Sequence, residues 1–533
     1  MLFTPRDYQQ KIFESAKEKN TLVVIPTGMG KTMIALMLSM HRIEKFPKQK
    51  ILLLAPTRPL VQQHFEYFKS NLPELYAEIE LFTGKIDSGK RHKLWQNANI
   101  IFSTPQCIAN DLKRKRISLE DVSLLIEDEC HRCLKNYAYT YVAKEYQNQS
   151  SNPLILGMTA SPGSDQKIIN EICENLNIKN VEVRSRESVD VKPYIQDLKI
   201  DVLKIDLPDE LKMIIKNIEE IYEKKVDELK NRRLLFGNAN KRTLLELQGR
   251  LGRLVSSGAK HFNNLRGLSI CSQAIKLQHL LELLETQTIS AAYNYMRKLL
   301  AQAEENQSKA VKEIVKQNGF VHSYFSISKM INSQEHPKIA KLREIIEDEI
   351  KSNPAAKVIV FSQYRDTGIV ITNELNKIYG IKAKNFVGQK IQKYVDFRAQ
   401  KIEDFSGQNI TKTSGLSQKD QQRVLAEFRE GLVNVIVATS IGEEGLDIPE
   451  VNCVIFYEPI PSAIRKIQRQ GRTARLMPGK MITLIAADTR DEAYHYASIN
   501  REKKMYRVLE GMKKNFGIKD NTPKTKLKTL NDF

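Results

Sequence analysis

The 533-residue chain has one tryptophan, six cysteines, and 63 acidic residues against 83 basic ones. Each shortage excludes something. The cysteines (Cys107, Cys130, Cys133, Cys173, Cys271, Cys453) are scattered, unlike the dense spacing of a secreted disulfide scaffold, so the expected compartment is reducing and cytoplasmic. The longest apolar runs, such as ILLLA at 51–55, are of strand length, so no membrane span is expected, and the opening MLFTPRD lacks the apolar core of a signal peptide. The acid deficit leaves a net charge of +20, a field that favours a polyanion and makes nucleic acid the leading partner. Apolar residues at 41% are enough for folded domains, and a length prior of about 100–200 residues per domain suggests three or so.

Short runs rich in Ile, Leu and Val recur between helix-length segments: TLVVI (21–25), ILLLA (51–55), IIFS (100–103), SLLIE (123–127) and LILGM (154–158). They read as buried parallel strands of an α/β sheet. The pattern returns as KVIVF (357–361), NVIVA (434–438), NCVIF (452–456) and MITLIA (481–486), which predicts a second such sheet. Between them, roughly 205–335, apolar residues fall at helical spacing, as in Leu211, Ile214, Ile215, Ile218 and Tyr222. The fold class is therefore α/β, with two parallel-sheet domains and an inserted all-helical subdomain. Pro208 and Pro337 suit helix starts.

TLVVI runs straight into PTGMGKT (26–32) and a helical stretch from Met33. Strand, glycine loop and helix in that order set backbone N–H groups and a helix N-terminus around a phosphate. Thr27, Gly28 and Gly30 line the loop, Lys31 is a point charge for the β and γ phosphates, and the Thr32 hydroxyl is placed for Mg²⁺. The loop fits a triphosphate, although Ile25 stands where the GxxxxGK[ST] pattern has its first glycine. Further on, SLLIE ends in Asp128, Glu129, Cys130 and His131. A carboxylate at the end of a buried strand suits Mg²⁺, which makes Asp128 the metal-side group and Glu129 the candidate base for the attacking water. Cys130 and Cys133 flank His131, but a structural zinc needs four ligands and the second pair is missing, so no zinc is expected.

PRDYQ (5–9), PTGMGKT, APTRPLVQQH (55–64), TG (83–84), STPQ (103–106), DECH (128–131), TAS (159–161), VFSQYR (360–365), ATSIGEEGLDIP (438–449) and QRQGRTAR (468–475) resemble, in order, the motif series of superfamily-2 helicases. That resemblance implies two RecA-like motor domains with ATP bound between them. It places Gln9 on the adenine edge, Arg472 and Arg475 as arginine fingers, and Gln468 and Asp447 as completing groups. Thr159 and Ser161 would relay the γ-phosphate state. Guanidinium groups supplied across a cleft stabilise charge developing on the transferred phosphoryl group, so hydrolysis would require closure. The expected domains are 1–200 (ATP-binding), 201–335 (helical insertion), 336–500 (second motor domain) and 501–533 (basic helix and tail).

The resemblance also implies a strand held by its phosphates, through Thr57, Arg58, Thr83, Gly84, Thr104, Ser362, Arg365 and Thr439. Helix capping is the competing role for each Ser or Thr. From Leu229 to Lys276 there are ten Lys and Arg and a single acid, Glu246. Arg242, Arg253 and Lys260 fall near one helical face with Arg250 somewhat off it, unless Gly249, Gly252 and Gly258 break the helix. This stretch is expected to contact a duplex or branch.

The position of the helical block, with FVGQ (386–389) and GLSQKDQ (415–421), is similar to the Hef/FANCM family. Membership would imply ATP-driven remodelling of forks and Holliday junctions in repair or fork restart, with 3′-to-5′ translocation. DECH, commoner in the RIG-I and Dicer branch, keeps a double-stranded-RNA-activated ATPase open as a rival. A nucleotide-gated platform that recruits a clamp or nuclease without unwinding is the other. Nothing resembles Hef's ERKxxxD nuclease motif, so no cleavage is expected and a separate nuclease is a candidate partner. The end, LKTLNDF, sets Leu530 and Phe533 at the spacing of a sliding-clamp-binding motif.

Overall fold

The computed structural model describes residues 4–73, 76–84, 86–259, 261–333, 335–388, 392–395, 411–439, 448–474 and 477–516. Lys260, Asp447, Arg475, Leu530 and Phe533, which carry expectations above, lie outside them.

The five runs of the first apolar series, joined by β3 and β7, which that series did not include, form one seven-stranded parallel sheet: β1 (Thr21–Val24), β2 (Lys50–Leu54), β3 (Ile79–Phe82), β4 (Ile100–Ser103), β5 (Val122–Asp128), β6 (Ile155–Thr159) and β7 (Asn180–Val183), in the order β3-β4-β2-β5-β6-β1-β7. β1, β4, β5 and β6 are buried along their whole length because helices cover both faces, which is why they read as continuous apolar runs without alternation. β6 separates β1 from β5, so the carboxyl ends of all three strands open on the same rim. In a sheet of this kind that rim is where ligands bind.

The second sheet has the order β10-β13-β9-β14-β15-β8, all parallel, from β8 (Leu198–Ile205), β9 (Val358–Phe361), β10 (Ala383–Phe386), β13 (Val435–Ala438), β14 (Cys453–Phe456) and β15 (Gly479–Ala486). A separate antiparallel ribbon joins β11 (Gln392–Val395) to β12 (Thr411–Ser414). β8 corrects the expected boundary at 200. This strand leaves the first lobe and pairs along its full length with β15, as the edge of the second lobe's sheet. Its half-exposed side chains gave no continuous apolar run to find.

Between the lobes stand six described helices: Asp209–Asn231, Lys241–Ser256, Phe262–Thr286, Ile289–Glu304, Lys309–Val315 and Asn318–Ser333. They share one apolar core that includes Ile218, Leu251, Leu277 and Phe320. Gly249 and Gly252 do not break their helix, which is continuous to Ser256, whereas Gly258, at φ 96°, follows its end. The C-terminal helix is also longer than expected, running from Arg490 to Asn515. No described helix is long and apolar enough to cross a membrane.

A buried ion pair between the second lobe and the C-terminal helix stands where the insertion meets them, and its lysine bonds to the insertion. Lys338, in the first turn of the helix Pro337–Ser352, pairs with Asp491 and donates to the carbonyls of Thr286 (3.3 Å) and Tyr457 (3.1 Å). Both charged side chains are fully buried. Burial outweighs the pairing and holds the Asp491 carboxyl above its ordinary range. Removing one partner strands the other, so Lys338→Met should cost about 3–5 kcal/mol. Adding Asp491→Asn should recover part of that loss in denaturant titrations. A single variant as stable as the parent would contradict this account.

Candidate functional site

The loop between β1 and the helix Lys31–Lys45 turns on Gly28 (φ 83°) and Gly30 (φ 75°), left-handed conformations that cost glycine nothing. Gly30 caps the helix without a side chain, and any Cβ there would collide with the Gln9 amide. Gln9 is buried over the loop, its Nε2 3.4 Å from the Met29 carbonyl and its Oε1 accepting from Arg6 N–H at 2.9 Å. Tyr8 donates to the Met29 carbonyl at 2.7 Å, so both residues brace the loop. Lys31 Nζ donates to the Ile25 carbonyl at 3.1 Å, curling back under the turn.

Asp128 ends β5 on the same rim. Its Oδ2 is 2.8 Å from His64 Nε2, while its Oδ1 is buried with no hydrogen-bond partner. Burial would raise this carboxyl, but the His64 contact and the charge of Lys31 outweigh it and hold the group below its ordinary value. Glu129 follows with φ 51° and ψ 44°, a left-handed conformation unusual for a residue with a side chain, which turns it off the strand axis. Its Oε2 lies 3.3 Å from His131 Nδ1 and 3.5 Å from Thr159 Oγ1. Thr159 Oγ1 is also 3.1 Å from His131 Nδ1 and accepts from Ser161 N–H at 3.1 Å. Glu129, His131 and the TAS segment thus form one connected polar cluster.

The arginine motif of the second lobe reaches this rim. Gly471 lies so close to the P-loop that a Cβ on it would stand 2.5 Å from Thr27 Cβ. Gln468 and Arg472 on either side of it are buried. Arg469, which sequence reasoning gave no role, is also buried, with its guanidinium 4.6 Å from the centroid of Phe361. That aromatic stacking makes it a packing residue of the second lobe.

Of the expected strand contacts, Thr57 and Thr104 stand at helix N-cap positions but make no capping bond, and Thr57 Oγ1 is buried without a partner. The competing capping role is therefore not in use at either. Arg58 packs against Gly84, where a Cβ would meet its guanidinium at 3.2 Å. Thr83 carbonyl accepts from Ile86 N–H, Ser362 Oγ donates to the Tyr364 carbonyl at 3.3 Å, and Thr439 is buried beside β10. Arg365 opens the helix Arg365–Leu375. In the insertion, Arg242 pairs with Glu246 at 2.8 Å on an exposed face and Arg250 donates to the Leu234 carbonyl at 2.6 Å. Arg253 is exposed on the same helix.

This fold and this rim define a two-lobed nucleoside triphosphatase of the helicase class. Family models agree: residues 6–169 match "DEAD/DEAH box helicase", 337–477 match "Helicase conserved C-terminal domain", and 210–336 match "Putative ATP-dependent RNA helicase, helical bundle". The crystal structure of the Pyrococcus furiosus Hef helicase domain is 42% identical, with a TM-score of 0.69 over 93% of this chain and 98% of that one. The chain belongs to the Hef/FANCM family of superfamily-2 helicases. A Methanocaldococcus jannaschii protein named "Putative ATP-dependent RNA helicase MJ1505" is 39% identical over 95% of this chain, which spans 61% of that protein's length. The ATP-dependent DNA helicase MPH1 of Pyricularia oryzae is 30% identical over 96% of this chain, which spans 46% of its length.

Two residues at the site had no role in the sequence reading. His64 closes APTRPLVQQH and meets Asp128 only because the helix Arg58–Asn71 brings it to the end of β5; its single signal was its place in that motif. Glu127 is the other. It is fully buried, and burial outweighs the Cys133 thiol beside it, pushing its pKa up to about 8. Cys130 and Cys133 lie in the first lobe's apolar core, where burial raises both thiols. A carboxyl with a raised native pKa keeps its proton only when folded, so stability should fall as pH rises from 4.5 through about 8. Glu127→Gln should remove that slope, which is on the order of a few kcal/mol across the window. Thermal melts between about pH 5 and 8 check it. Parallel melting profiles for the two proteins would contradict it.

Proposed function

We propose that this chain is an ATP-driven motor that translocates 3′ to 5′ on DNA and remodels branched forms such as forks and Holliday junctions. The observation that carries the reading is the contact of Gly471 with Thr27, because it brings the second lobe's arginine motif against a P-loop. Lys31 and the loop N–H groups hold the β and γ phosphates, and Gln9 reads the adenine edge. Thr32 and Asp128 are the residues that would hold Mg²⁺; the buried, unpartnered Asp128 Oδ1 fits a cation, and none is better suited than the ion that accompanies a triphosphate. When bound, that ion neutralises charge on the phosphate oxygens. Glu129 orients the attacking water and takes its proton. Gln468, Arg472 and Arg475 meet the transferring phosphoryl group from the other lobe, with Asp447 completing the site.

Thr57, Arg58, Thr83, Gly84 and Thr104 in one lobe and Ser362, Arg365 and Thr439 in the other grip the phosphates of one strand, independent of sequence. Arg242, Arg250, Arg253 and Lys260 extend the basic track onto the insertion, where a branch would lie. Relatives named as DNA helicases favour DNA over the relatives named as RNA helicases, and the Hef/FANCM resemblance implies branched DNA.

Lys31→Ala should abolish ATP hydrolysis and fork remodelling while leaving DNA binding within about twofold, since Lys31 is assigned to the nucleotide and not to the DNA track. Steady-state hydrolysis and strand displacement, run side by side on forked DNA and duplex RNA, test both parts. Remodelling by the Lys31 variant would refute the motor, and hydrolysis accelerated by duplex RNA alone would transfer the assignment to RNA.

A further inference from the structure

The C-terminal helix, Arg490–Asn515, belongs to neither lobe alone. It has 26 residues, and its buried positions Asp491, Ser498, Met505, Leu509 and Met512 form one stripe at helical spacing. At its start, Asp491 pairs with Lys338 and Arg490 N–H donates to Glu285 at 2.9 Å, which fixes it to the second lobe and the insertion. At its end, Met505, Leu509 and Met512 are buried in the first lobe's apolar core, and Lys513 pairs with Glu182 of β7 at 3.4 Å. Midway, Glu502 pairs with Lys466 at 2.9 Å. Lys466 lies on the helix Ala463–Gln470, which leads directly into Gly471 and Arg472. One turn later, Ser161 Oγ of the TAS segment donates to Met505 Sδ at 2.9 Å.

We infer that this helix is a strut that holds the arginine motif in register with the first lobe, with Glu502 and Met505 as its positioning residues. Glu502 fixes the helix that carries Gln468 and ends at Gly471. Met505 seats the same strut on Ser161, two residues from Thr159 and its contacts with Glu129 and His131. The lobes cannot part without breaking the Met505 seat or bending the helix, so the strut sets how often Arg472 stands at the P-loop. The groups assigned to the adenine and the β and γ phosphates, Gln9 and Lys31, lie in the first lobe, whereas hydrolysis needs both lobes. The strut should therefore act on kcat and leave the ATP KM in place.

This inference rests on the ATPase half of the proposed function, so the test is nucleic-acid-free ATP hydrolysis by the full chain. Glu502→Lys should lower kcat about tenfold with the ATP KM within about twofold. The charge swap Glu502→Lys with Lys466→Glu should recover most of that loss, which a mere folding defect would not do. Met505→Ala should lower kcat similarly, and Met505→Leu, which keeps the packing in the core but not the sulfur that accepts from Ser161, should recover part of the loss. Wild-type kcat in both Glu502→Lys and Met505→Ala, or a swap no better than Glu502→Lys alone, would overturn the strut. Glu502 is half-buried and outside the core, so it carries the test if the Met505→Ala protein melts early. Fork remodelling is scored separately: its absence in an active wild-type ATPase contradicts the DNA reading, while the kcat comparison decides the strut.

Discussion

Close approach of the second lobe to the P-loop is the constraint on which the rest depends. A P-loop alone binds a triphosphate, and an acid pair alone can hold a metal and a water. Neither supplies positive charge on the far side of the phosphoryl group. In the proposed mechanism that charge comes with a segment whose glycine has no room for a methyl group against Thr27. Electrostatic stabilisation of this kind is strong only when the donors are already in place and water is excluded; Gln468 and Arg472 beside that glycine are buried.

The second lobe does not carry that segment by itself. Lys338 and Asp491 pin the insertion to it from within, Thr367 Oγ1 donates to Gln287 at 2.8 Å, and Arg490 pairs with Glu285. A polar junction so largely buried resists shear, because its buried groups, on sliding, lose partners that water cannot replace. Movement at the cleft therefore carries the helical insertion with the second lobe. The P-loop, the acid pair and the TAS cluster stay with the first.

Much of this was legible in the sequence, and what was not has physical causes. Continuous apolar runs such as SLLIE and LILGM became central strands, since strands covered on both faces need no alternation. PTGMGKT and DECH met on one rim because β6 alone separates their strands. β8 escaped, because a half-exposed edge strand carries polar residues that break the run. The terminal helix escaped in part: its stripe opens with Asp491 and Ser498, so the first half shows no apolar face. His64 and Glu127 depend on tertiary contact and burial, which spacing does not encode. The helix-breaking weight given to Gly249 and Gly252 was overridden by the packing of Leu244, Leu247 and Leu251 on their buried side.

Gly471→Ala is the most direct measurement, because the nearest atom its added methyl would meet is Thr27 Cβ of the other lobe. The added methyl should prop the lobes apart and lower ATP hydrolysis by roughly 100-fold, while a fluorescent ATP analogue still binds at near-parent affinity. Hydrolysis at the parent rate by this variant would mean that the arginine motif need not touch the loop, and the account of a site completed across the cleft would be wrong.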